Sequence, residues 1–238
     1  MTTPPLLVLA GGFGTRLRSA VADVPKPLAP VAGCPYLYYL LESWVGQGVR
    51  EFIFLLYHQA DMIEEFLRSE AVSTLLQGCK VQTLIEAQPM GTGGAVAHAV
   101  QQLHLRGGFL VANADTWLGS GLAELATTPA PAIAVLRVEN TERYGRVETE
   151  ANKIVAFAEK QDSAGTGWIN AGMYHLDAAL FTDWDGEPFS LERLLFPPLA
   201  EAGCLQALPL QTEFIDIGIP ADYFRFCRWI ESQKADAL

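Results

Sequence analysis

Apolar residues follow two rhythms along this chain. In the first half, short apolar runs alternate with stretches where apolar residues return every third or fourth position. The runs Leu6–Leu9, Glu51–Leu56, Val81–Ile85 and Phe109–Asn113 read as strands. Between them Tyr36–Gln47, Gln59–Arg68 and Ala95–Leu103 carry helical spacing. Strands alternating with helices predict parallel β-α-β units with right-handed crossovers and helices on both faces of the sheet. In the second half strands predominate, at Ile133–Val138, Arg146–Thr149, Ile154–Ala158 and Met173–Leu176. Helices return at Leu191–Ala202 and Ala221–Ser232. The expected fold is therefore α/β: a Rossmann-like mixed, mostly parallel sheet flanked by helices. A parallel half over about residues 1–125 and a mixed half over about residues 126–238 would face each other across a cleft. Ligands would then collect at the carboxyl ends of the strands.

Composition sharpens this picture by exclusion. The 238 residues are 50% apolar, enough for one domain with a substantial core. Glycine and proline are spread evenly, so no linker is visible, and no repeat recurs at a fixed period. The apolar run Leu6–Ala10 is short and no basic residue precedes it, unlike a signal peptide. No window approaches the roughly 20 apolar residues that span a bilayer. Cys34, Cys79, Cys204 and Cys227 are far apart and form no C-x-x-C pair, which argues against a structural zinc site and a disulfide framework. A cytoplasmic location and no membrane partner are expected. The net charge of −11 comes without any basic run, which excludes nucleic acid as a partner. Small anionic ligands remain, provided that a few positive groups or a metal converge.

The strongest local signal follows the first strand: Ala10-Gly11-Gly12-Phe13-Gly14-Thr15-Arg16-Leu17. Glycines let backbone approach a ligand closely, and consecutive N–H groups form a concavity for phosphate oxygens. A tight strand-to-helix turn would use the same residues. A Walker A loop would need Lys-Ser/Thr after its last glycine, and a dinucleotide fingerprint would need glycine where Leu17 stands. Further on, Pro25 and Pro27 hold Lys26 on a stiff segment, which a merely solvated lysine does not require, although a lone lysine between prolines is also an ordinary surface arrangement. Together, Gly-Gly-x-Gly-Thr-Arg-Leu and Pro-Lys-Pro-Leu resemble the signature of the sugar-1-phosphate nucleotidyltransferases. That resemblance implies a GT-A-like nucleotidyltransferase fold, with a nucleotide-binding first half and a sugar-phosphate-binding second half. It also implies that the loop wraps a nucleoside triphosphate, while Arg16 and Lys26 bind its phosphates.

Later segments carry two readings each. Glu86-Ala87-Gln88-Pro89-Met90-Gly91-Thr92-Gly93-Gly94 reads as a close-approach loop that caps the next helix. It looks like the family's base-recognition loop, in the form typical of guanylyltransferases, which assigns Glu86, Gly91 and Thr92 to the nucleotide. Asp115, after Asn113-Ala114, reads as a helix cap or as a metal carboxylate. The family has Asn-Gly-Asp here, so Ala114 is a departure. Asp216, between apolar neighbours, calls for a nearby cation, either an arginine or a metal. By resemblance Asp115 and Asp216 share one Mg²⁺. Glu159-Lys160 and Asn170-Ala171-Gly172, the latter expected to open a strand, read as surface charges and a turn. They resemble the elements that hold the sugar and its phosphate, as do Asn113, Tyr144 and Gly145. Trp44, Trp184 and Trp229 read as packing, whereas Trp117 and Trp168 could line a sugar pocket. The four histidines show no metal-ligand spacing.

The resemblance implies an enzyme in which a sugar 1-phosphate attacks the α-phosphorus of a triphosphate and pyrophosphate leaves. Arg16, Lys26 and Lys160 are its expected catalytic residues. GTP and D-glycero-D-manno-heptose 1-phosphate are the leading substrates, the product being a nucleotide sugar for surface polysaccharide. The short chain favours the heptose branch, because many mannose enzymes add a hexapeptide-repeat β-helix. The alternatives are mannose 1-phosphate, uridylyl transfer to an amino sugar phosphate, and a non-catalytic nucleotide-sugar sensor subunit. Phe224, Phe226, Trp229 and Ile230 could supply a homodimer interface.

Overall fold

The computed structural model describes residues 3–158 and 165–236. In chain order they hold β1 (Leu6–Leu9), a hairpin of β2 (Pro30–Val31) and β3 (Cys34–Pro35), α1 (Tyr36–Gly46) and β4 (Glu51–Leu56). Then come α2 (Ala60–Arg68), α3 (Glu70–Leu75), β5 (Lys80–Ile85), α4 (Gly91–Gln102), β6 (Gly108–Asn113), β7 (Thr116–Leu118) and α5 (Leu122–Thr127). The second half continues with β8 (Ala132–Val138), β9 (Arg146–Glu150), β10 (Lys153–Ala158) and β11 (Gly167–Asp177). A π-helical turn over Leu191–Leu195, α6 (Phe196–Glu201), β12 (Gln206–Leu210), β13 (Phe214–Asp216) and α7 (Pro220–Asp236) complete the described residues.

One nine-stranded sheet, ordered β5-β4-β1-β6-β11-β8-β12-β10-β9, runs through both halves. Strands β5, β4, β1 and β6 are parallel, as the β-α-β pattern predicts. From β11 onward the pairings are antiparallel, except β12 with β8. The runs of β1, β4 and β6 are apolar because both faces of the sheet are covered there, whereas the edge strand β5 is mostly exposed. Leu6 and Val8 of β1 pack with α1 and α7, around Trp44, Tyr36 and Phe226, while Leu7 faces α4 with Phe109 and Tyr174. Successive side chains pointing to opposite faces divide the core into these two layers.

Four expectations are corrected, three of them by contacts remote in sequence. Helix α4 begins at Gly91 rather than Ala95, because the Phe189 carbonyl accepts from the amides of Gly93 (2.9 Å) and Gly94 (3.2 Å). Strand β11 is far longer than Met173–Leu176. Asn170–Gly172 does not open it but lies mid-strand, where the register on β8 slips between Asn170 and Tyr174. The helix expected over Leu191–Ala202 is split into the π-helical turn and α6, since Pro197 and Pro198 lack amide donors and can only begin a helix. Finally, Phe226 (0% exposed) and Ile230 (6%) face the molecule's own core, and Trp229 packs beside them, so only Phe224 of that stripe is well exposed. The apolar pattern of α7 is thereby accounted for within one chain. No described helix is long and apolar enough to cross a membrane.

Candidate active site

The parallel strands β1, β4, β5 and β6 lie side by side and discharge their chains at one edge of the sheet. β1 leads into Ala10–Gly14, β4 into Tyr57, β5 into Glu86–Met90 and β6 into Asn113–Asp115. These segments enclose a cavity of about 340 Å³, lined among others by Ala10, Gly11, Gly12, Lys26, Glu86, Gly91, Thr92, Asn113 and Asp115. Most of the sequence-predicted nucleotide residues therefore meet in one place, but Gly14, Thr15 and Arg16 do not line the cavity. Thr15 and Arg16 follow on the exposed turn beyond Gly14, whose positive φ of 60° reverses the loop where a side chain would be strained.

At the mouth of the cavity charges of both signs converge. Lys26 sits in a single helical turn between Pro25 and Pro27, and its Nζ donates to Asp115 Oδ2 at 2.6 Å. The ribbon of β7 and β13 sets Asp216 opposite Thr116, next in sequence to Asp115, and the Ile217 amide donates to the Asp115 carbonyl at 3.0 Å. The two aspartates are thus neighbours although the chain separates them widely. Asp216 Oδ1 accepts from the Gly218 amide at 2.6 Å. Burial and, next, the Asp115 carboxylate push the Asp216 carboxyl above its ordinary range, against the opposing pull of the Gly218 amide, Lys26 and Arg16. The Arg16 guanidinium lies beside this turn, 3.3 Å from where a Cβ on Gly218 would stand. Among the described residues Asp216 forms no ion pair, and Asp115 bonds a lysine rather than capping a helix. Ala114 fits where a glycine was expected: its backbone is not left-handed, its methyl is buried, and its amide donates to the Leu9 carbonyl at 3.0 Å.

Glu86 is 8% exposed at the cavity wall, and burial raises its carboxyl above the ordinary value. The Met90 amide donates to its Oε2 at 2.9 Å, and among the described residues Oε1 makes no hydrogen bond. The glycines after Met90 serve the protein itself, because Gly93 lies under the Phe189 ring and a Cβ there would collide with it. Thr92 is likewise occupied. Its hydroxyl donates to Glu192 Oε2 at 2.8 Å and accepts from the Leu191 amide at 3.0 Å, so it is engaged within the protein.

The second group of predicted residues flanks the first. Asn170 Oδ1 accepts from the Gly172 amide (2.8 Å), its Nδ2 donates to the Tyr174 hydroxyl (3.1 Å), and its own amide donates to the Gly145 carbonyl (2.9 Å). Gly172 in turn brings Asn113 alongside, with Nδ2 2.7 Å from where a Cβ on Gly172 would be. Tyr144 packs edge-on against Phe214, and burial raises its hydroxyl above the ordinary value. Its neighbour Arg143 pins this loop to α7 through Asp222, which Arg225 also contacts at 3.4 Å. Glu159 and Lys160 lie outside the described residues. Trp117 belongs to the core, packed on Phe226 and Trp229 and 9% exposed, while Trp168 is half-buried against the other core layer. Among the described residues no three His, Cys, Asp or Glu side chains cluster as a metal cage. Sequence reasoning missed Phe189, Glu192, Tyr174 and Arg143. Glu192 is followed directly by Arg193, so nothing local distinguishes it from an ordinary surface charge pair.

A cavity at the carboxyl ends of parallel strands, bordered by a glycine loop and by a cluster of two carboxylates and two cations, defines a nucleotide-binding α/β protein. Residues 6–230 match the model of the family Nucleotidyl transferase, and the chain belongs to that family. It is 32% identical over 225 residues to the D-glycero-alpha-D-manno-heptose 1-phosphate guanylyltransferase of Campylobacter jejuni, covering 92% of this chain and 97% of that one. It is also 32% identical over 240 residues to the mannose-1-phosphate guanylyltransferase catalytic subunit beta of Danio rerio, of which it spans 66%. Among solved structures, HddC from Yersinia pseudotuberculosis complexed with GMP-PN superposes with a TM-score of 0.82 at 33% identity, over 95% of this chain and 99% of that one.

Proposed function

We propose that this protein transfers GMP from GTP to a sugar 1-phosphate, releasing pyrophosphate, and that D-glycero-D-manno-heptose 1-phosphate is the acceptor. The carrying observation is the meeting of Arg16, Lys26, Asp115 and Asp216 at the mouth of a cavity ringed by the glycine and Glu86 loops. The acceptor rests on the heptose relative, which the chain matches over nearly its full length. Mannose 1-phosphate is the second reading, supported by equal identity to a longer relative. On either reading the chain acts as a single domain in the cytoplasm, supplying nucleotide sugar for surface polysaccharide.

Glu86 suits guanine, whose N1–H and exocyclic amine form adjacent donors that one carboxylate can accept, a pair that uracil and thymine lack. The backbone of Gly11, Gly12, Gly91 and Thr92 lies against the nucleotide. Arg16 and Lys26 offset triphosphate charge, and Lys160 holds the attacking phosphate in line with the α-phosphorus. Tyr144, Gly145, Glu159, Asn170 and Asn113 receive the sugar. Such a reaction asks positioning and charge stabilisation of the protein rather than covalent participation.

The Asp115–Asp216 pair fits Mg²⁺, which takes few protein oxygens and completes its shell with phosphate and water. Burial and then the neighbouring Asp115 carboxylate lift the Asp216 carboxyl, and a cation beside both would relieve the crowding. When bound, Mg²⁺ supplies neutralisation of the phosphate charge.

The test is a pyrophosphate-release screen of ATP, GTP, CTP and UTP against heptose, mannose, glucose and N-acetylglucosamine 1-phosphates in the presence of Mg²⁺. Turnover confined to GTP with the heptose is expected. GTP with mannose 1-phosphate alone would move the acceptor to the second reading. UTP with the amino sugar, or tight nucleotide binding without turnover, would overturn the proposal in favour of a uridylyltransferase or a sensor.

A further inference from the structure

We infer that Glu192 is the positioning residue that joins nucleotide seating to sugar binding, an inference that deepens the proposed function and rests on it. Its carboxylate is half-buried and lies between the two groups of site residues. Oε2 accepts from Thr92 Oγ1 (2.8 Å), at the start of α4, and from Ser190 Oγ (2.6 Å). Oε1 accepts from the Tyr174 hydroxyl (3.2 Å), which itself receives Asn170 Nδ2 (3.1 Å).

The direction of every proton in this chain follows from its one acceptor-only member, the Glu192 carboxylate. A carboxylate only accepts, so Thr92 and Tyr174 must both donate to it. Having donated, the Thr92 hydroxyl accepts from the Leu191 amide, and the Tyr174 oxygen accepts from Asn170. The Asn170 amide is thereby held with Nδ2 toward Tyr174 and Oδ1 toward the Gly172 amide, 2.8 Å away. Among the described residues its second N–H and remaining lone pair have no other partner, and we assign them to a sugar hydroxyl. Hydrogen bonds linked in series polarise one another, so a shift of Thr92 when nucleotide seats against its backbone is felt at Asn170. Glu192 stands on the π-helical turn, a backbone form that recurs at functional sites.

The geometry dictates the test. In Glu192→Gln the new amide must donate on one side. Facing Tyr174, it would compete with Asn170 for the phenol oxygen, and facing Thr92, it would reverse that hydroxyl. Tyr174→Phe removes the same link without touching Glu192. We expect each variant to raise KM for the sugar 1-phosphate about tenfold while titrated GMP-PNP affinity, measured without sugar phosphate, stays within about threefold of wild type. The double variant should be no worse than the poorer single one, as for members of one chain. Unchanged sugar KM in both single variants, equal losses at both substrates, or additive effects would overturn the inference. A wild-type protein that releases no pyrophosphate from any substrate pair would instead bring down the proposed function, and this inference with it.

Discussion

Glu86 carries its charge where the surroundings resist it. Burial raises its carboxyl, with only the Met90 amide pulling the other way. As a recognition group it must be ionised to accept from guanine. KM for GTP should therefore climb as pH falls through its raised range, beginning above the ordinary carboxylate value. In Glu86→Gln that climb should vanish and KM should be high at all pH. Stability runs in the opposite sense. The folded protein binds this proton more tightly than the unfolded chain, so stability falls as pH rises from the ordinary carboxylate value to the raised one. Glu86→Gln should melt above wild type at pH 7.5 and level with it at pH 3.5, as followed by circular dichroism. Lys26 makes a complementary case. It is held between two prolines and paired with Asp115, and the proposed function gives it the triphosphate charge to offset. Lys26→Ala should lower kcat by about 100-fold or more with the far-ultraviolet spectrum unchanged, and near-normal turnover would refute its role.

At the level of elements, the start of α4 shows how one part of the chain shapes a site loop from afar. Phe189 covers Gly93, accepts from the amides of Gly93 and Gly94, and donates to the Met90 carbonyl at 2.9 Å. Gly93→Ala would drive a methyl into the Phe189 ring, and overpacking of this kind costs about 1–3 kcal/mol. Denaturant unfolding should show that loss, and Phe189→Ala in the same chain should recover part of it. An unchanged midpoint in Gly93→Ala would mean that the ring moves aside freely. This contact also marks the limit of what the sequence could tell. β1, β4 and β6 were legible because burial on both faces leaves an apolar run that needs no partner to be recognised. The glycine loop, the Pro-Lys-Pro segment and both aspartates were legible because each motif is contiguous. The early start of α4, the full length of β11 and the place of Glu192 depend on pairings made across the fold. Nothing near Ala95, Met173 or Glu192 in the chain encodes those pairings.

Across the whole molecule the balance of charge poses the sharpest problem. A protein of net charge −11 must bind a triphosphate and a second phosphate ester, with Arg16 and Lys26 as the cations at the described site and Lys26 already committed to Asp115. The general field of the protein opposes both ligands. Binding then depends on local neutralisation, and Asp115 and Asp216 would worsen matters unless a divalent cation sits beside them. Thermal shift separates these contributions. Ligand at 100 times its Kd adds about 2.7 kcal/mol of stability to the folded state, so GTP at a saturating level with Mg²⁺ should raise Tm by several degrees. In EDTA the same GTP concentration should give only a small fraction of that rise. Asp115→Asn and Asp216→Asn should show the small rise with or without Mg²⁺, since the paired negative charge that recruits the ion is gone. A full shift in EDTA would mean that Arg16, Lys26 and the loop amides hold the triphosphate by themselves. The two aspartates would then need a different explanation for standing together at the cavity mouth.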